Sequence, residues 1–144
     1  MYLKEPINRA TFQDYSDFIK NLSIDIECDF MRVKSYVSKR KQGDVEITKD
    51  LETSIKGKHV YIVDDIFDTG NTINAVIDYL KVKDPSMISV VTLLKRKNSP
   101  PLLVPNSFVD NHYNVFEIDE EWVIGYGLDN DNGHCRNYKT IYEI

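Results

Sequence analysis

The stretch Val60–Thr72 reads VYIVDDIFDTGNT. An apolar run, Val60 to Val63, ends in the adjacent acids Asp64 and Asp65. A third acid, Asp68, follows, and then the turn Thr69–Gly70–Asn71–Thr72. With His59, the run reads as a strand buried on both faces of a parallel sheet. Beyond the turn, Ile73, Val76, Ile77 and Leu80 recur at i, i+3, i+4 and i+7, which predicts a helix. Pro85 breaks it, and MISVVTLL, starting at Met87, is a second buried strand. Strand, helix and strand form a βαβ unit with a right-handed crossover.

Upstream, Tyr15, Phe18, Ile19 and Leu22 fall at helical spacing between about Thr11 and Leu22. IDIECDFMRV then alternates Ile24, Ile26 and Cys28 against acids, which reads as a strand. SYVSKRKQGD has no apolar rhythm and reads as a mobile loop, about 34–45, before the short strand VEITKDL. Downstream, LLVPNSFV and VFEIDEEWVIGYGLD complete the sheet. The fold class is α/β: one domain over residues 1–144, a twisted, mostly parallel sheet flanked by helices. A small hood is expected from the chain ends, its C-terminal part about 105–144.

The 144-residue length suits one domain. A formal net charge of −5 argues against a nucleic-acid surface built on bulk positive charge. No apolar run is long enough for a bilayer, and MYLKEPINRA lacks the apolar centre of a signal peptide. Cys28 and Cys135 suggest neither a disulfide framework nor a metal motif. The expected setting is the reducing cytoplasm, without a membrane partner.

In an open α/β sheet, ligands bind beyond the carboxyl ends of the strands, where Asp64 and Asp65 fall. Gly70 lets backbone approach a ligand closely. The helix start supplies N–H groups and a positive dipole end, and Thr69 and Thr72 add hydroxyls. With Asn71 these residues make a cradle for a phosphate monoester. The turn matches neither the Walker pattern nor GxGxxG. Paired carboxylates suit a sugar phosphate, because they accept hydrogen bonds from ribose hydroxyls. They also suit Mg2+, which prefers oxygen ligands. The bland alternative is an Asp-rich strand end with a helix cap.

VYIVDDIFDTGNT closely resembles the phosphoribosyl pyrophosphate signature of type I phosphoribosyltransferases. DFMRVKSY (Asp29–Tyr36), GDVEITKDL and EWVIGYGLD (Glu121–Asp129) resemble the hypoxanthine/guanine branch, in the same order and at similar spacing. The similarity covers roughly Asn8 to Tyr138, after a shortened N-terminus. It implies transfer of a phosphoribosyl group from phosphoribosyl pyrophosphate to a 6-oxopurine, giving a purine nucleoside monophosphate and pyrophosphate in purine salvage. Mg2+ is the implied cofactor and a homo-oligomer, dimer or tetramer, the implied assembly.

The resemblance also implies residue roles. Asp68 faces the purine N7 as the proton-transfer residue, unless it merely caps the helix. Asp64 and Asp65 engage the ribose hydroxyls and help position Mg2+, and Asp129 reaches a second Mg2+. Trp122 stacks on the base, unless it is a core tryptophan, and the Val123 backbone bonds the base edge. Ser35 and Tyr36 mark the catalytic loop. Arg136 and Arg9 contact pyrophosphate, Arg9 within Asn8–Arg9–Ala10, where the family has glycine in place of Ala10. Arg96 takes the place of the lysine that meets the 6-oxo group. Lys95 and Lys97 flank it, and a one-residue slip would set a lysine there. Lys39, Arg40 and Lys41 are either pyrophosphate contacts or plain solvated loop. Two other readings stay open: a non-catalytic regulator binding a nucleotide or phosphoribosyl pyrophosphate, and an enzyme for xanthine or a pyrimidine.

Overall fold

Four apolar side chains on one helix, Ile73, Val76, Ile77 and Leu80, are buried together against Ile88 and Val90. The structure is a computed structural model describing residues 6–8, 19–35, 45–102, 109–130 and 132–144. In chain order the strands are β1 (Pro6–Asn8), β2 (Arg32–Ser35), β3 (Val45–Lys49), β4 (His59–Phe67), β5 (Met87–Arg96), β6 (Val109–Ile118), β7 (Val123–Ile124) and β8 (Ile141–Glu143). The helix, α1, spans Asn71–Lys81 between β4 and β5. The chain divides into two compact units, one of Cys28–Ile118 and one of Met1–Glu27 with Asp119–Ile144.

In the first unit, β4, β5 and β6 form a parallel sheet in that order. Its register sets Val60 against Ile88 and Ile62 against Val90, so these side chains share the face that α1 covers. At about 1.5–3 kcal/mol for each fully buried aliphatic side chain, this packing is a main source of the unit's stability. The central strand β5 is buried over Ile88, Ser89 and Val90, as its continuous apolar run predicts.

β4 departs from expectation. Its residues alternate in exposure, with Tyr61 half exposed at 50% and Val63 also exposed. Among the described residues, the packing on this strand is on its α1 side, where Val60 and Ile62 meet the buried core. IDIECDFMRV does not form the expected strand. Residues 24–31 form no strand; Ile24 is 64% exposed, and β2 begins only at Arg32. Alternation without a pairing partner does not make a sheet. Most of the helix expected over Thr11–Leu22 lies outside the described residues, of which Ile19 and Lys20 are helical.

β2 and β3 form an antiparallel ribbon closed at one end by Asp29. The Asp29 carboxylate accepts hydrogen bonds from the backbone N–H groups of Phe30 (2.7 Å), Glu52 (2.7 Å) and Thr53 (2.9 Å), and from Thr53 Oγ1 (3.1 Å). The Thr53 N–H contributes most to holding its pKa below the ordinary aspartate value.

In the second unit, β1, β8 and β7 form an antiparallel sheet in that order. The segment EWVIGYGLD therefore does not extend the parallel sheet. A Cβ on Gly125 would stand 2.1 Å from the Thr140 carbonyl oxygen, and Gly125 has φ +92°. Only glycine permits that close backbone crossing.

Candidate active site

The parallel register fixes the centre of the first unit. Asp64 lies opposite Thr92, and Phe67 opposite Lys95, so the chain leaves β4 beside the end of β5. There Arg96 Nε meets Asp68 Oδ1 at 3.0 Å. The Arg96 side chain is 14% exposed and that of Asp68 51%. A pair so placed is less screened than a fully exposed one.

Asp68 does not cap the helix. The N-cap of α1 is Gly70, in the left-handed region at φ +76°, with no side-chain cap bond. A Cβ at Gly70 would stand 2.9 Å from Phe67 Cζ, and Phe67 is buried. The sharp entry thus requires glycine. The first-turn N–H groups of an α-helix have no intrahelical acceptors; here they follow directly on the exposed Asp68 and Thr69. Asn71 N donates only a long 3.5 Å bond to Thr69 Oγ1. Thr72 is half-buried in the first turn.

Asp64 and Asp65 both fold back on the chain. Asp64 Oδ1 accepts from Asp65 N at 3.0 Å, and Asp65 Oδ1 from Ile66 N at 2.7 Å. Burial, reinforced by the neighbouring Asp65 charge, pushes the Asp64 carboxyl from 3.8 up to about 7. A cation or a hydroxyl donor arriving here favours the ionised form.

These two carboxylates are the donor set that tests a metal. Among the described residues, no cluster of three or more His, Cys, Asp or Glu could hold an ion by itself. Mg2+ commonly binds through one or two carboxylates and completes its shell with water and substrate phosphate oxygens. Asp64 and Asp65 fit an ion that arrives with a diphosphate, and do not form a self-sufficient cage.

In the other unit, Trp122 directly precedes β7 and is 49% exposed. Its Nε1 donates to the Asp129 carbonyl at 3.3 Å, and its own carbonyl accepts from Ile144 N at 2.8 Å. Val123 is buried in β7, opposite Glu143. Arg136 Nη2 forms an ion pair with Asp129 Oδ2, while Nη1 donates to the Gly127 carbonyl at 2.8 Å. The structure thus joins Asp129 to Arg136, residues that the sequence reading assigns to different jobs.

Ser35 closes β2 opposite Val45. Arg9, Ala10, Tyr36, Lys39, Arg40 and Lys41 lie outside the described residues. Two residues emerge that the sequence reading gives no role. Asp29 fastens the β2–β3 ribbon, and Ser99 donates through Oγ to the Phe67 carbonyl at 3.0 Å. Asp29 opens the quoted stretch DFMRVKSY, whereas nothing in the sequence marks Ser99.

The phosphoribosyl transferase domain family model matches residues 7–131. The chain belongs to that family. In sequence it is 39% identical over 137 residues to the hypoxanthine phosphoribosyltransferase of Haemophilus influenzae, covering 94% of this chain and 73% of that protein. In structure it is similar to a hypoxanthine phosphoribosyltransferase from Staphylococcus aureus, with a TM-score of 0.75, 32% identity, and coverage of 94% of this chain and 71% of that one. It is also similar to the Trypanosoma cruzi hypoxanthine phosphoribosyltransferase in complex with the product IMP, with a TM-score of 0.73, 32% identity, and coverage of 92% and 69%. Within the family, the chain is of the type I, hypoxanthine/guanine-like kind. No described helix is long and apolar enough to cross a membrane.

Proposed function

We infer that this chain transfers the phosphoribosyl group of phosphoribosyl pyrophosphate to a 6-oxopurine, giving a purine nucleoside monophosphate and pyrophosphate. The observation that carries this reading is the acid string Asp64, Asp65 and Asp68 at the carboxyl end of β4, turning through left-handed Gly70 into α1. Family membership then selects ribosyl transfer among the reactions such a site supports.

In the proposed step, the ribose C1′–O bond to pyrophosphate breaks and a C1′–N bond to the base forms. Pyrophosphate leaves with the electron pair, and the base proton passes to Asp68. Asp64 and Asp65 accept hydrogen bonds from the ribose hydroxyls. Gly70, Asn71 and the Thr69 and Thr72 hydroxyls donate to the 5′-phosphate. Asp64 and Asp65 would hold Mg2+, with Asp129 serving a second ion once released from Arg136. Bound there, Mg2+ offsets negative charge on the departing diphosphate. Arg96 donates to the purine 6-oxo group, Trp122 offers a flat face of the kind that stacks a purine, and the Val123 backbone bonds the base edge. Arg9, Ser35, Tyr36 and Arg136 contact pyrophosphate or frame the loop that does. The active form is a homo-oligomer.

Protein, Mg2+, phosphoribosyl pyrophosphate and each free base in turn should release pyrophosphate with hypoxanthine or guanine. Release with xanthine or a pyrimidine alone would change the substrate. No release with any base, alongside tight nucleotide binding, would make the chain a regulator on this fold.

A further inference from the structure

We propose that Ser99 is a positioning residue for Asp68, acting through the peptide that carries it. The proposal rests on the proton-transfer role of Asp68. At the end of β5 the chain reverses over Arg96–Ser99, closed by Ser99 N donating to the Arg96 carbonyl at 3.0 Å. Lys97 N donates to the Ile118 carbonyl at 2.9 Å, which fastens this turn to the end of β6. Two side chains of the one turn then grip two consecutive residues, the last of β4 and the first of the turn that follows it. Ser99 Oγ donates to the Phe67 carbonyl at 3.0 Å, and Arg96 Nε meets Asp68 Oδ1 at 3.0 Å.

The first grip is the less obvious and the more consequential. The Phe67 carbonyl belongs to the peptide that joins Phe67 to Asp68. A peptide is planar, so holding its oxygen sets the direction in which the Asp68 Cα leaves β4. The Phe67 ring is buried, which anchors the other side of the same peptide. Arg96 alone could follow a wandering carboxylate, since its side chain is long. With Ser99 in place, the Asp68 backbone is fixed and the guanidinium only has to orient the carboxylate. Small displacements of a reacting group cost large factors in rate, while binding of the rest of the substrate is unaffected.

The test is a double-mutant cycle of Ser99→Ala and Asp68→Asn, read by pyrophosphate release with hypoxanthine. Ser99→Ala should lower kcat about tenfold, a typical consequence of losing one positioning hydrogen bond. KM for phosphoribosyl pyrophosphate should stay within about twofold, and the thermal midpoint within a few degrees. In the Asp68→Asn background, Ser99→Ala should cost nothing further, because its effect runs through the group already removed. Equal losses in both backgrounds, or an unchanged kcat, would overturn the proposal. Ser99→Cys keeps the side-chain shape with a weak donor and carries the same cycle if the alanine variant does not fold. A wild-type protein without turnover on any base sinks the ribosyl-transfer reading and this one together. An active wild type with additive losses sinks only the role of Ser99.

Discussion

The Nε atom of Arg96 lies 3.0 Å from Oδ1 of Asp68, joining the last residue of β5 to the loop that follows β4. One ion pair thus links the residue proposed to read the 6-oxo group to the residue proposed to take the base proton. Arg96→Gln removes the charge and frees the carboxylate to turn; kcat with hypoxanthine should fall by about ten- to a hundredfold, and KM for the base should rise. Arg96→Lys keeps the charge without the planar fork and should lose less. Steady-state kinetics of the two variants check this, and wild-type behaviour in Arg96→Gln would refute it.

Gly70 holds α1's entry at φ +76° with the Phe67 ring against it. Gly70→Ala should cost about 2 kcal/mol in urea unfolding, from left-handed strain and the tight contact together. Gly57 is the control: at φ +69°, a Cβ added to it would meet no atom within 4 Å, so Gly57→Ala should cost about 1 kcal/mol. Equal costs would show that the ring gives way.

Asp64 carries a carboxyl pushed up to about 7. A carboxyl raised in the folded state binds protons there that the unfolded chain has already lost. Its favourable contribution is therefore full below about pH 4 and is lost as pH rises to about 7. Asp64→Asn should be the more stable protein at pH 8, by up to about 4 kcal/mol, with the advantage shrinking toward pH 4. Urea titrations at several pH values measure the difference, and a pH-independent gap would contradict the assignment.

Trp122 is 49% exposed, and its indole N–H meets only a backbone carbonyl. Trp122→Ala should weaken purine binding about three- to tenfold while leaving the thermal midpoint within a few degrees. A buried tryptophan would instead cost about 3–5 kcal/mol of stability. Calorimetric titration with a purine mononucleotide, beside a thermal melt, separates the two.

Much of the central unit was legible in the sequence. The spacing of Ile73, Val76, Ile77 and Leu80 gave the buried face of α1, and the apolar runs gave β4 and β5. The acid string and its glycine turn fell where strand and helix meet. What could not be read was set by pairing. Ile24 and Ile26 alternate with acids as a strand would, yet no strand among the described residues partners them. Arg96 meets Asp68, and Ser99 meets Phe67, only because two strands adopt one register. The Asp29 carboxylate finds Thr53 across the length of the β2–β3 excursion, a closure that no local pattern announces.

That register has a consequence for how this chain can change length. β4 and β5 lie side by side from His59↔Met87 to Phe67↔Lys95. Adding or deleting one residue inside either strand would slide the guanidinium past its carboxylate by about 3.3 Å and turn it to the opposite side of the sheet. The linker between Val82 and Ser86 is itself tied to the approach to β4, with Gly57 N donating to the Asp84 carbonyl at 2.7 Å and Ser86 N to the Lys58 carbonyl at 2.9 Å. Natural or laboratory variants of different length should therefore carry their insertions outside Gly57–Phe67 and Asp84–Arg96, with the two strands kept to a fixed ruler.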